Sequence, residues 1–206
     1  MQALLPVSAR RLLAKRVFDL AICVLLLPFV AALLIGCAIA IRLDSRGQVL
    51  FAQERTGRNG HRFRMYKFRT MVENAEELKE QLRHLSVVPP PDFKIPNDPR
   101  ITPVGRFLRR SSLDELPQIL NVVRGDMSLV GPRPTSFAPS TYRLWHTTRL
   151  EVPPGLTGLW QIRGRNTTTF DERLRLDIKY IAEMSILLDL KILAATAKVV
   201  VRGSGA

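Results

Sequence analysis

From Leu20 to Ile41 the chain reads LAICVLLLPFVAALLIGCAIAI, 22 residues without a charge. A straight helix of that length reaches roughly 33 Å, enough for the hydrocarbon core of a bilayer. In lipid every backbone polar group must be satisfied by the segment itself or by its protein neighbours, so this run restricts the fold more than any other feature. Pro28 lies inside it, removes one backbone donor and predicts a kink. Basic residues stand on both sides: Arg10, Arg11, Lys15 and Arg16 before, Arg42 and Arg46 after. Cytoplasmic flanks of membrane segments are rich in Lys and Arg, so both ends ask for the same side. A segment that enters, turns at Pro28 and returns meets that demand. Its arms of 8 and 14 residues are too short to span singly. The expectation is therefore a re-entrant helix–break–helix within residues 1–46, with residues 47–206 packed on the membrane face as one functional unit. Two other readings stay open. A single-span anchor fits the length. A cleaved signal fits the basic start and the small residues Ala38 to Ala40, and LIGC ending at Cys37 resembles a lipoprotein site; the run is nevertheless longer than a usual signal core and carries a proline.

The charge balance narrows the partners. The 206 residues hold 31 Lys and Arg against 18 Asp and Glu, a formal net charge of +13. Such a surplus points to an anionic partner: nucleic acid, phospholipid headgroups or a phosphorylated substrate. A merely solvated basic surface is the bland alternative. The two cysteines, Cys23 and Cys37, both lie in the apolar run, so the remaining chain has neither a disulfide framework nor a cysteine metal site. That fits a reducing compartment. The three histidines are scattered, which leaves a Ser-His-Asp arrangement without support.

Beyond the apolar run the pattern predicts an α+β chain, mostly helical. Val49–Gln53 and Arg62–Lys67 read as a β-hairpin turned at Asn59-Gly60. Residues 42–70 hold eight Lys/Arg against two acids, which makes the hairpin a candidate anion-facing surface. Ala75, Leu78, Leu82 and Leu85 recur at helical spacing on a charged surface helix that leaves His84 exposed. Residues 113–123 read as a helix that tolerates Pro117 only near its beginning. GPRP and VPPGLTG mark rigid loops. FDERLRLDIKYIAEM is a further helix. The last helix, from Ser185 to about Arg202, carries a stripe of Lys191, Ala195, Lys198 and Arg202 on an apolar body. It suits either a membrane interface or the core.

Within RRSSLDELPQILNVVRGD, Asp114 and Glu115 are adjacent, with Arg109 and Arg110 just before them. Ser112-Leu113-Asp114-Glu115 fits the capping box, in which Ser112 caps a helix and Glu115 reaches back. That reading gives about 1 kcal/mol of stability and no chemistry. The alternative is chemical. Neighbouring helical residues point about 100° apart, so one carboxylate can attack while the other holds a metal or a proton. A helix start among arginines also attracts phosphate.

KRVFDLAICVLLLP, FAQERTGRNGHRFRMYKFRTM, NDPRITPVGRFLRRSSLDELPQILNVVRGDMSLVGPRP, VPPGLTGLWQIRGRN and LLDLKIL follow one another from about Lys15 to Lys198. Together they resemble the bacterial sugar transferases, the monotopic phosphoglycosyl transferases. The length is similar to the minimal catalytic members. The resemblance implies transfer of a sugar 1-phosphate from a UDP-sugar to polyprenyl (undecaprenyl) phosphate, with release of the nucleoside monophosphate. It implies an Mg²⁺ cofactor and a covalent phosphosugar–enzyme intermediate, early in assembly of a surface glycan or exopolysaccharide. Asp114 takes the place of the nucleophile and Glu115 that of the second essential carboxylate, the two together being the expected Mg²⁺ ligands. Pro28 matches the family's broken re-entrant helix. Phosphate oxygens need cations; Lys67 and Arg69 of KFRTM, Arg100 of DPR, Arg133 with Pro134 of GPRP, and Arg163 and Arg165 of QIRGRN are the candidates. Arg163 and EVPPG depart from the usual family pattern. The implied setting is the inner membrane, with the catalytic part on the cytoplasmic face and membrane lipids as partners; a homodimer is left open. A catalytically silent membrane scaffold of the same fold is the alternative. A nucleic-acid binder needs exposed aromatics beside basic patches. Phe63, Tyr66 and Phe68 interleave with arginines, but the hairpin fits the transferase equally, and no nucleic-acid partner is expected.

Overall fold

The computed structural model describes residues 7–87, 95–137, 144–163 and 170–201. Its order is α1 (Ala9–Asp44), β1 (Leu50–Thr56), β2 (Arg62–Phe68), α2 (Ala75–Gln81), α3 (Pro103–Ser111), a 3-10 segment (Leu113–Gln118), α4 (Ile119–Arg124), β3 (Ser128–Val130), β4 (Gly155–Thr157), α5 (Leu159–Arg163), α6 (Phe170–Glu183) and α7 (Ile186–Val201). The mostly helical α+β expectation holds. The expected surface helix forms over Ala75–Gln81 and gives way to a 3-10 turn at Arg83–Leu85, and the two later helices form over Phe170–Glu183 and Ile186–Val201.

α1 begins at Ser8, whose Oγ accepts from Arg11 N at 3.4 Å. It then continues for 36 residues with Pro28 inside. The expected break into two helices is corrected: a proline forfeits one bond, but the bonds on either side carry the helix past it. The helix is long and apolar enough to cross a membrane. Six successive residues, Val24 to Phe29, are exposed around the full circumference. Both arms are packed. Cys23 joins a core with Phe63, Met65, Val122, Tyr180 and Ile192. Cys37 and Ile41 join a second core with Phe68 and Leu108. The N-terminal arm is also held by polar groups. Lys15 Nζ donates to Asp189 Oδ2 of α7 at 2.7 Å and to Asp19 Oδ1 at 3.5 Å. Ser128 Oγ donates to Asp19 Oδ2 at 2.6 Å, and Tyr180 donates to Asp189 Oδ1 at 2.8 Å. Buried charges persist only when paired in this way.

β1 and β2 form the expected hairpin, antiparallel from Leu50↔Phe68 to Thr56↔Arg62. Asn59 and Gly60 both take the left-handed conformation at its turn, which Asn and Gly accept at low cost. The free edge of β2 is closed by one side chain. Asn121 of α4 accepts from Tyr66 N at 3.0 Å and donates to Arg64 O at 2.7 Å, as a neighbouring strand would. β3 and β4 pair in parallel, Ser128↔Gly155 and Val130↔Thr157. A Cβ on Gly155 would collide with Gly131 N, so the two chains approach backbone to backbone.

Asn121 is fully buried. Asn121→Ala should cost about 1–3 kcal/mol, because Tyr66 N–H and Arg64 C=O lose their partners without access to water. Asn121→Asp keeps the acceptor but turns a carboxylate oxygen toward Arg64 O and Asp126, so it should cost at least as much. Thermal unfolding in detergent checks both. An unchanged melting temperature for the alanine variant would remove the strand-mimicking role.

Candidate active site

α3 starts on Thr102, whose Oγ1 accepts from Gly105 N at 3.0 Å, with Pro103 in the first turn. It ends at Ser112, which takes the left-handed conformation at φ 57°. The turn redirects the chain into the 3-10 segment that carries Asp114 and Glu115. The expected capping box does not form. Ser112 makes no side-chain cap, and the Glu115 carboxylate points elsewhere. The expected helix over 113–123 is split into the 3-10 turn, which holds Pro117, and α4.

Glu115 Oε1 accepts from Lys67 Nζ at 2.9 Å and from Arg133 Nη2 at 2.6 Å. Arg133 Nη1 reaches Oε2 at 3.3 Å. One carboxylate thus joins β2, the 3-10 segment and the loop after β3. Burial alone would push the Glu115 carboxyl up, but Arg133 and Lys67, by charge and hydrogen bonds, hold it well below the ordinary range. Glu115 in turn raises the Arg133 guanidinium against its burial. Asp114 differs. It has no hydrogen-bond or ion-pair partner among the described residues. Burial pushes its carboxyl up; Lys67 opposes this, Glu115 adds to it, and Arg109 and Arg133 oppose it. Neighbouring carboxylates in separate environments take separate tasks.

The loop bearing Arg133 is fastened at several points. Gly131 N donates to Thr157 O at 2.9 Å, and Gly155 N to Pro132 O at 2.8 Å. Thr56 N, at the end of β1, donates to Thr135 O at 2.9 Å. Arg149 Nη2 donates to Arg133 O at 2.5 Å while standing 2.8 Å from Asp177 Oδ2 of α6. A small, shallow cleft lies between this loop and the end of β1, lined by Thr56, Arg133, Pro134 and Arg149.

Of the candidates named from sequence, Lys67 and Arg133 meet at the acidic pair, and Pro134 lines the adjoining cleft. Arg69 is bound to the carbonyls of Ser45 and Arg46, where it closes the end of α1. Arg100 is buried on Asp98, at 2.6 Å and 2.9 Å, and donates to Ala75 O. Both arginines are therefore engaged in holding the fold. Arg163 is exposed on α5. Arg165 lies outside the described residues. Pro28 is far from the pair in sequence, on the exposed stretch of α1. Arg109, noted in the sequence beside the pair but not among the candidate phosphate contacts, donates to Thr70 Oγ1 at 2.8 Å and acts on Asp114, and sequence reasoning misses the Arg149–Asp177 pair altogether. Arg109 has a signal, its place one turn before the carboxylates. The Arg149–Asp177 pair has none.

The pair also suits a divalent cation. No group of three or more His, Cys, Asp or Glu capable of holding a metal occurs among the described residues. Mg²⁺ accepts one or two carboxylates and takes its other ligands from phosphate and water. Asp114 has both oxygens open, and Glu115 Oε2 carries only the 3.3 Å bond. The donor set fits the one or two protein carboxylates that such an ion takes.

The model of the family described as bacterial sugar transferase matches residues 10–203. Galactosyl transferase CpsE of Streptococcus agalactiae serotype III (strain NEM316) is 46% identical over 199 residues, covering 95% of this chain and 44% of that protein. Undecaprenyl-phosphate galactose phosphotransferase of Salmonella typhimurium is 44% identical over 197 residues, covering 93% and 41%. Exopolysaccharide production protein ExoY of Rhizobium meliloti is 40% identical over 205 residues, covering 94% and 88%. The chain thus spans less than half of the first two relatives and most of the third.

Asp177 supplies a pH test of the loop's support. Burial raises its carboxyl to about 7, against the opposing charge of Arg149. The unfolded value is about 4. A folded state that binds the proton more firmly is favoured as pH falls through 7 toward 4, and this contribution is lost as pH rises through 7. Glu115 has the opposite sign, and its contribution is lost only as pH falls below about 4.5. Between pH 8 and 5.5 the wild-type melting temperature should therefore gain relative to Asp177→Asn. Parallel profiles for the two proteins would show that Asp177 does not titrate in this window.

Proposed function

Because this chain belongs to the bacterial sugar transferase family, we propose that it moves a hexose 1-phosphate from a UDP-sugar to polyprenyl phosphate through a covalent intermediate on Asp114. The observation that carries this reading is the contrast inside the acidic pair: Glu115 is locked between Lys67 and Arg133, while Asp114 beside it has no hydrogen-bond partner among the described residues. An Asp114 oxygen attacks the phosphorus that bears the sugar. The bond from that phosphorus to the bridging oxygen breaks, and the nucleoside monophosphate leaves with the electron pair. Asp114 is then an acyl phosphate carrying the sugar. A phosphate oxygen of the lipid attacks the same phosphorus, the acyl phosphate bond breaks, and the carboxylate returns. Lys67 and Arg133 lie where charge gathers on the phosphoryl oxygens, and fixed cations there favour the transition state. When bound, Mg²⁺ on Asp114 and Glu115 would neutralise the diphosphate of the donor. The names of the relatives, a galactose phosphotransferase acting with undecaprenyl phosphate and an exopolysaccharide production protein, support the substrate classes and the place in glycan assembly.

α1 enters this reading as the membrane segment. The proposed course is re-entrant, with α1 bending at Pro28 while its backbone stays helical there, within a membrane part of residues 1–46, and with the catalytic part of residues 47–206 on the cytoplasmic face of the inner membrane. Basic flanks at both ends support it. So does the exposed stretch Val24–Phe29 between two packed arms.

Donor alone, without lipid, should release one burst of nucleoside monophosphate per enzyme and add the mass of a sugar phosphate to the protein. Asp114→Asn should abolish both, since an amide cannot form the acyl phosphate. Ser112→Ala, which removes no cap, should keep turnover. Monophosphate release that strictly requires lipid, or a working Asp114→Asn enzyme, would sink the covalent route. Labelling of single cysteines placed at positions 5 and 60 checks the membrane course: the same sidedness is expected, and opposite sidedness would make α1 a spanning helix.

A further inference from the structure

The β1–β2 register sets one more cation on the hairpin face that carries Lys67. Side chains of directly paired antiparallel residues share a face. Arg55 pairs with Phe63, Gln53 with Met65, and Phe51 with Lys67, so Arg55 and Lys67 project from the same face of the hairpin. Lys67 on that face holds Glu115. At its other end Arg55 is next to Thr56, whose backbone N–H is fastened to Thr135 O, two residues beyond Arg133. Arg55 thus lies at the end of the hairpin that is fastened to the Arg133 loop. Burial bears most on its charge, Arg133 and Arg62 add to that, and Glu115 favours it.

The guanidinium is poorly served by protein groups. One Nη2 bond reaches Gln53 Oε1 at 2.5 Å, a neutral acceptor on the same strand face. Its Nε is buried and has no partner among the described residues. An arginine is always charged, and a buried donor left unmade is costly. The acidic pair that stands nearby, Glu115 and Asp114, sits among Lys67, Arg109 and Arg133 as well. Four cations around two acids leave an excess of positive charge. A bound anion of about two charges would balance it.

Resting on the transferase reading, we propose that Arg55 binds a phosphate oxygen of the substrate, as the cation on the β1 side of the Asp114–Glu115 pair. Its planar fork offers donors that Lys67, a point charge, does not. The phosphate has two sources, the diphosphate of the donor or the phosphate of the lipid, and both present the same oxygens.

The test uses the full chain in detergent with Arg55→Met, which keeps the apolar stem, and Arg55→Lys, which keeps the charge without the fork. Binding of UDP and of inorganic pyrophosphate is read by calorimetry, independently of turnover. The expected result is binding about ten- to a hundredfold weaker in Arg55→Met, partly restored in Arg55→Lys, with an intact melting transition. The donor-only burst and the KM for polyprenyl phosphate separate the sources. A weakened burst with weaker UDP binding assigns the donor diphosphate. An unchanged burst and unchanged UDP binding, with a raised KM for the lipid, assign the lipid phosphate. If UDP binding, burst and both KM values equal wild type in both variants, Arg55 is not a binding residue. If Arg55→Met fails to fold, Arg55→Lys decides: wild-type binding and a wild-type KM for both substrates in that variant overturn the role of the fork. A wild-type protein that neither binds UDP nor turns over instead defeats the transferase reading, and this proposal with it.

Discussion

The bond set on Glu115 is the constraint on which the site depends. One carboxylate draws Lys67 from β2 and Arg133 from the loop after β3 onto the 3-10 segment. Hydrogen bonds with a charged partner contribute about 1.5–3 kcal/mol each, but only against the cost of taking the charges partly out of water. Removing either cation would leave that cost uncovered. The arrangement is therefore more a device for position than a source of stability. Its product is the state of the neighbour. With Glu115 occupied by both cations, Asp114 stays in their field but outside their hydrogen bonds. The proposed attack on a phosphate asks for a carboxylate so placed, near positive charge and outside hydrogen bonds.

Each cation is itself positioned by elements distant in sequence. Lys67 is set by the hairpin register, which Asn121 seals from the other edge. Arg133 is set by a loop sewn to β4 through the close approach of Gly131 and Gly155, and to β1 through Thr56 and Thr135. Arg149 adds a donor to the Arg133 carbonyl from a second direction and is itself paired with Asp177. Three independent attachments leave the guanidinium little choice of place. Rigid support of this kind is what transition-state stabilisation by fixed charge requires.

The hairpin and the acidic pair are both legible in the amino-acid sequence. Period-two alternation and Asn59-Gly60 mark the hairpin, because a half-buried strand and a left-handed turn have strong local signatures. The acidic pair stands out through its setting among basic residues. Local pattern does not reveal partnership. Ser112, Asp114 and Glu115 match a capping box in sequence, yet Glu115 finds two cations outside its own segment, and they outcompete a local cap. Arg69 and Arg100 look like Lys67 and Arg133 in a basic chain. Only the fold shows that the first two are occupied with main-chain oxygens and Asp98. The apolar run does mark α1, but Pro28 is a weaker breaker than its place in that run suggests. Within a long helix one missing donor is tolerated, and the exposure of Val24–Phe29 marks the place by other means.

The long apolar helix and the Arg133 loop also share a strand. Asp19 on α1 accepts from Ser128 Oγ at the start of β3, and Tyr180 donates to Val130 O at its end as well as to Asp189, the partner of Lys15. Gly131 and the Arg133 loop follow at once. The proposed transfer from a water-soluble donor to a lipid acceptor needs Asp114 at a fixed height relative to the bilayer. Hydrogen bonds that tie α1 to β3, and β3 to the loop on Glu115, supply that height through a few buried and directional contacts. Apolar packing alone would allow α1 to slide, since its exposed faces are apolar nearly throughout. The buried Lys15, Asp19 and Asp189 fix its register, and register is the best-attested use of charge inside a core.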